Sequence, residues 1–450
     1  MEETSAIVLI PTIIVLLSAI ITHRPVASLI IGVISGILLH SPSNLLSSFS
    51  GISIEVMQDP QIAWVIIVCG LMGSLFYLLI ATGGVEAFTH AMSKHANTRN
   101  KSILITWLLG LAMFLDDYLN AIVIGNSMKK VTDKFKISRS MLAYIVDSTA
   151  APTCVLVPLS TWAVYFSVIL ESTEYVSVGE GINYYISAIP YMFYPIIALI
   201  LVPFVATGRF PLIGPMKKEE LIVENLEDRV SIIDDDIPKN KLHSGASIWN
   251  FILPILMLIA ISWFYEIDLL KGIISTLLII IPVMLALKII DMNKAFDAIL
   301  DGFKIMIPPL MIVVAAFMFK NINDQIGLPQ YVIETMKPLL SPQLFPVIVF
   351  ISMAFMSFAT ASNWGIYIII IPIVMPLGVA LDVPIPIIIG SVLSASSFGS
   401  HACFYTDATV LAAQASGVDT MKHAITQIPY ALVAALIAAF AYIVLAFVVV

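Results

Sequence analysis

Between Pro338 and Leu381 the chain runs for 44 residues without a charged side chain. A membrane-crossing helix needs about 20 apolar residues, so this run is too long for one crossing and too apolar for water. Its middle, FATASNWG at 358–365, breaks the apolar pattern with small and polar residues. The segment therefore reads as two helices meeting at a polar turn, within an all-α polytopic membrane protein. Composition agrees: 59% of the 450 residues are hydrophobic and 12% are charged, against about 25% charged in soluble domains. Fourteen of the 52 charges lie between Arg209 and Lys241 and most others in short turns, which leaves no soluble domain large enough to fold alone.

About ten full spans are expected, near 6–22, 25–40, 62–82, 139–169, 183–206, 246–265, 270–290, 305–321, 384–416 and 425–449. The first follows MEETS rather than a basic region, so it reads as a span and not as a cleaved leader. The three cysteines, Cys69, Cys154 and Cys403, all fall in apolar segments, and no disulfide framework is expected. Segments 84–101, 129–139 and 207–245 are basic and are assigned to the cytoplasm; 41–61 and 170–182 hold only acids among their charges and are assigned outside. Segment 102–128 then has basic flanks at both ends, so it is expected to enter and return as a re-entrant hairpin. Segment 338–381 is its counterpart from the opposite side.

The elements recur at an offset of about 245, hairpin on hairpin and 139–169 on 384–416, with Thr149 over Ser394 and Thr161 over Thr406. The expected plan is two inverted repeats, 1–206 and 246–450, joined by a cytoplasmic linker, 207–245. Each repeat holds a re-entrant hairpin (102–128, 338–381) and a discontinuous helix (139–169, 384–416), giving about ten spans plus two hairpins. Inverted repeats with broken helices at mid-membrane mark secondary transporters. Asp234, Asp235 and Asp236 read as part of the solvated linker.

An acid at membrane depth costs about 2.5–3.5 kcal/mol on insertion scales, which singles out Asp116 and Asp117 in FLDDYLN at the first hairpin tip. With Asn120 and backbone carbonyls they form a candidate cation or proton site, since hard cations prefer oxygen ligands. Asp147 precedes STAAPTC, where Pro152 and, further on, Pro158 favour breaks; Ser148, Thr149 and Thr153 surround that backbone. In the second half, SASSFGS (394–400) with Ser396 and Ser397 weakens a helix, Gly399 permits a break there, and His401, Thr406 and Asp407 follow. Thr360, Ser362 and Asn363 at the second tip offer neutral oxygens and an amide. Asp117, Asn120, Asp147 and Asp407 are the Na+ candidates. Lys304 and Lys320 read as snorkelling ends of a span, and Asp419 and His423 as exposed turn residues. Neither a phosphate loop nor catalytic zinc spacing is present in the sequence, so an enzyme, a cofactor and a nucleic-acid partner are not expected.

The stretches 114–162 and 397–432 resemble the two signature blocks of the NhaC-type Na+/H+ antiporter family, within the ion-transporter superfamily. The resemblance implies alternating access by a moving transport domain, frequent dimerisation, and Na+ or H+ as coupling ions. The implied site residues are Asp116, Asp117, Asn120, Asp147, Ser148, Thr149, His401 and Asp407. One departure stands out: the family's Gly-Asp-His is Gly399-Ser400-His401 here, so the second half lacks one acid. Expected functions are Na+/H+ antiport in a bacterial-type inner membrane or, alternatively, Na+- or H+-coupled transport of an amino acid or small carboxylate. A channel is the third reading. Partners are the lipid bilayer and a small ion or small organic solute.

Overall fold

The computed structural model describes residues 6–22, 24–173, 175–224, 246–360, 363–404 and 406–448. Asp234 to Asp236, Ser362 and the Asn363 side chain lie outside the described part. The first half comprises α1 (Ile10–Thr22), α2 (Pro25–His40), α3 (Leu45–Gln58), α4 (Pro60–Ala81), α5 (Gly84–Ser93), α6 (Arg99–Ala112), α7 (Asp117–Lys134), α8 (Arg139–Thr149), α9 (Ala151–Leu156), α10 (Thr161–Glu171), α11 (Gly181–Ala188) and α12 (Phe193–Ala206). A connecting helix, α13 (Gly214–Glu224), leads to α14 (Trp249–Phe264), α15 (Leu269–Ala286), α16 (Met292–Ile305), α17 (Ile307–Gln325), α18 (Leu328–Met336), α19 (Phe345–Thr360), α20 (Asn363–Ala380), α21 (Ile385–Ala402), α22 (Asp407–Ser416) and α23 (Thr420–Ala446). Among the described residues there is no strand.

Two bundles form. In one, α1 packs on α2, α14 on α15, α2 on α17, and α4 against α15 and α16. In the other, α6 to α12 mesh with α19 to α23, chiefly through α7 with α22, α12 with α23 and α8 with α22, while α19 packs on α21. Four helices of the described chain (α4, α15, α21, α23) are each long and apolar enough to cross a membrane, and three bent pairs raise this to seven. The other apolar helices are shorter, 10–17 residues, so the ten expected spans do not map one to one onto long helices.

The order of elements repeats with close register. Helices α6, α7, α8 and α10 open at Arg99, Asp117, Arg139 and Thr161; α19, α20, α21 and α22 open at Phe345, Asn363, Ile385 and Asp407, each 246 positions later. The matching is one residue off the alignment drawn from sequence: Thr161 pairs with Asp407, not Thr406. Ser160 and Thr406 become equivalent caps, whose hydroxyls accept the N–H of Ala163 and Thr409, a standard means of satisfying a helix start.

Both expected broken helices are broken, though not everywhere expected. In the first half Ala150, at φ −79 and ψ −94, separates α8 from α9. Residues 157–160, with Pro158 among them, separate α9 from α10, and the pair bends by 42°. In the second half α21 continues through SASSFGS and Gly399 to Ala402, and α22 opens at Asp407. Gly399 is not a hinge. Its missing side chain lets α19 approach, because an added Cβ would lie 1.8 Å from Ser357 Oγ. Every residue from Ile387 to Ala402 is buried, so tertiary packing outweighs the weak helix propensity of the serines.

Three further segments differ from expectation. The acidic segment 41–61 contains α3, which buries Ile52 and Val56, one helical turn apart. Residues 292–305 form α16, a stripe of small residues (Ala295, Ala298, Gly302) against α4. The two backbones touch: a Cβ on Gly73 would meet Gly302 O at 2.3 Å, and Ser74 Oγ donates to Ile299 O at 2.7 Å. Small residues permit this close crossing, the usual way helices associate in lipid. Residues 214–224 of the supposed free linker are α13, which buries Met216 and Glu220.

Candidate functional site

Four helices begin around one point in the second bundle. Asp117 opens α7, Asp407 opens α22, Thr161 opens α10 and Asn363 opens α20. Helices α7 and α22 run side by side in register, since Gly125 lies against Ala415, each eight residues past its opening aspartate. The Tyr118 hydroxyl donates to Asp407 Oδ2 at 3.4 Å. The start of α10 is tied to the turn before α7: Thr161 N–H donates to Leu115 O at 3.1 Å, and its hydroxyl to Asp116 Oδ2 at 3.4 Å. Trp162 meets Tyr367 of α20 edge-on with centroids 6.0 Å apart. Each helix start contributes about half a positive charge, which favours acids there.

Asp117 is fully buried, and neither carboxylate oxygen has a hydrogen-bond partner among the described residues; the Trp162 indole is an electrostatic neighbour. Asn120, one turn on, donates through Nδ2 to Gly110 O at 2.8 Å and Thr149 O at 2.9 Å. It thereby ties the end of α6 to the break after α8. Its Oδ1 has no partner in the described structure. The contact is close because Gly110 has no side chain: a Cβ there would lie 2.1 Å from Thr149 Oγ1. Three unpaired side-chain oxygens are thus buried within one turn of one helix. Unpaired buried polar atoms are uncommon and expensive, and a carboxylate left so is satisfied by a proton or a cation.

Asp147 is held differently. Its Oδ2 accepts from Thr409 Oγ1 at 3.2 Å and Gln427 Nε2 at 2.7 Å, and meets His423 Nε2 at 3.1 Å. All three partners belong to the second half. Next to it, Ser148 Oγ and His401 Nε2 lie 2.7 Å apart, and the other ring nitrogen of His401 lies 2.7 Å from the Tyr194 hydroxyl. His401 O accepts from Gln427 Nε2. His423, expected in an exposed turn, is fully buried. Asp419 caps α23 and the helix starts at Thr420, which carries His423 inside.

The remaining candidates scatter. Asp407 is exposed. Thr406 caps α22, Thr149 Oγ1 bonds back to Ile145 O, and Thr360 Oγ1 to Met356 O. Thr153, Ser397 and Ser400 keep buried hydroxyls without partners among the described residues, and Ser396 is buried on α21. Sequence reasoning missed Gln427, Thr409 and Tyr194 and misplaced His423. His423 and Gln427 stand four apart at the head of the last apolar run, a one-face polar pair that could have been read.

Described residues that are helical with no strand, apolar spans, interrupted helices and a buried, unpaired carboxylate at the start of one of them (Asp117) define a membrane transporter of the secondary type. The chain belongs to the Na+/H+ antiporter family, whose model matches residues 173–447. A Haemophilus influenzae protein described only as uncharacterized is 28% identical over 98% of this chain and 90% of its own length. The malate-2H+/Na+-lactate antiporter of Bacillus subtilis is 32% identical over 84 residues, 19% of this chain and 18% of that protein. Among solved structures, Neisseria gonorrhoeae MtrF, described with a class of antimetabolite efflux pumps, shares the fold. It superposes with a TM-score of 0.56 over 91% of this chain and 85% of its own, at 12% identity.

Proposed function

We propose that the protein exchanges Na+ for H+ across a bacterial-type inner membrane by alternating access, with no covalent chemistry. The observation that carries this reading is the buried Asp117 carboxylate, unpaired on both oxygens beside the free Oδ1 of Asn120. Asp117, Asn120 and a carbonyl at the α8–α9 break would hold a desolvated Na+, with Asp116 at the edge. A carboxylate that holds a proton is a poor Na+ ligand, so competition for Asp117 couples the two fluxes. The 246-residue repeat of elements supports two inverted repeats, with α6–α7 and α19–α20 as hairpins entering from opposite faces. In reconstituted vesicles, a Na+ pulse should move protons without added organic solute, and lowering the pH should raise the KM for Na+. Protons that stay still until a solute is added would defeat this reading.

A second reading is Na+- or H+-coupled transport of an amino acid or small carboxylate. It is favoured by the 84-residue likeness to the malate-2H+/Na+-lactate antiporter and by Ser400 in place of the family acid. The partnerless hydroxyls of Thr153, Ser397 and Ser400 and helix starts suited to a carboxylate point the same way. A flux screen over malate, lactate and amino acids separates the two readings.

A further inference from the structure

We propose that a water-filled lane along α7 and α22 leads a cation from the basic face to the centre, and that Asp407 captures it there before transfer to Asp117. This rests on reading the centre as a Na+ site. On α7, Ile122, Asn126 and Lys130 are exposed below half-buried Tyr118; on α22, Asp407 and Gln414 are exposed, as is Gly417 just past its end. Spacings of four on α7, and of seven (two turns) on α22, place each set along one edge of its helix. The two edges share a head, where Tyr118 bonds Asp407, and the helices run in register below it.

Depth makes the lane wet. Asp407 lies nine positions before the last residue of α22, about 13 Å at the rise of an α-helix. A carboxylate that deep does not face hydrocarbon, so the opening beside it holds water, which also meets the exposed amide of Gln414; the Asn126 amide donates to Ile122 O at 2.9 Å. The mouth is basic: Lys129 and Arg139 lie beside Gly417, and Arg139 is paired with Asp133. Moving inward along α7 and α22 past the Asp133–Arg139 ion pair, the next acid is Asp407, held by the Tyr118 hydroxyl. Behind it waits the partnerless carboxylate of Asp117, whose neighbour in sequence, Tyr118, holds the Asp407 side chain. Asp407 is therefore an attracting and positioning residue, outside the buried ligand set.

The test has two arms. Cysteines at Asn126 and Gln414 (N126C, Q414C) are treated with an impermeant charged thiol reagent; native Cys69, Cys154 and Cys403 are buried. Both should react in inside-out vesicles, whereas F440C on exposed, apolar Phe440 of α23 should stay unlabelled. Silence at both lane positions would sink the lane. In the flux arm, Asp407→Asn should raise the Na+ KM about tenfold, a focusing effect of a single charge, lower maximal flux far less, and lose part of its effect in high salt. Asp407→Glu should restore the KM. An unmoved KM, or loss of maximal flux alone, overturns the capture role. If the native protein moves no Na+, the reading of the centre has failed, and labelling still decides the lane.

Discussion

Asp117 and Asp147 are both fully buried carboxylates, held in opposite ways. Asp117 has no hydrogen-bond partner among the described residues, while one oxygen of Asp147 has three. The unpaired acid is free to exchange ligands; the clamped acid joins the halves of the chain. Asp117→Asn should therefore abolish coupled flux while leaving membrane insertion intact, measured by transport in vesicles against protein recovered from the membrane. His423→Ala should lower stability by about 1–3 kcal/mol, the usual cost of a lost buried partner, seen as a lower thermal midpoint in detergent. Gln427→Leu should be non-additive with it, since both bond the same oxygen. The acids themselves were legible in the sequence because charge is conspicuous in an apolar run. Their partners were not: Asp147 and His423 are 276 positions apart, and hydropathy says nothing about which polar groups meet across a fold.

Among the elements, the glycines separate close packing from flexibility. At the α4–α16 crossing a Cβ on Gly302 would lie 2.3 Å from Gly73 O, a backbone atom that cannot step aside. Gly302→Val should destabilise by at least the ~1–3 kcal/mol of ordinary overpacking, read as lost folded yield and a lower thermal midpoint. Gly70→Ala should be milder, because the Phe303 ring it meets can turn away. Helix order and the existence of both broken helices followed from sequence, since apolar runs, prolines and polar clusters mark them directly. The position of the second break did not. Gly399 has the composition of a hinge but serves as a contact, and only its neighbour Ser357 distinguishes the two.

For the whole molecule, α13 is more than a connection. Glu220 pairs with Arg99 at 2.5 Å and accepts the N–H of Ser138 at 3.0 Å, Glu219 pairs with Lys422 at 2.7 Å, and Ile213 N–H donates to the Tyr430 hydroxyl at 2.8 Å. One short segment thus holds the starts of α6 and α8 and two points on α23. Glu220→Ala strips the buried Ser138 N–H of its partner and should cost about 1–3 kcal/mol, visible as earlier proteolysis at the linker. The charge run there concealed this helix from sequence reading, because Met216 is its only buried apolar residue. If α6–α7 is a hairpin, cysteines at Asn100 and Lys130 should label from the same side of the membrane; opposite sides would make it a plain crossing.

The clamp on Asp147 also sets a timetable for biogenesis. The ribosome finishes α8 long before Thr409, His423 and Gln427 exist. At about 5–20 residues per second, the 276 residues between Asp147 and His423 take roughly 15–55 seconds to make. Through that interval the nascent first half holds an acid in the bilayer without its eventual partners. A chain stopped short of α23 lacks His423 and Gln427, two of the three partners of that carboxylate, and bears the cost of an acid in the bilayer without them.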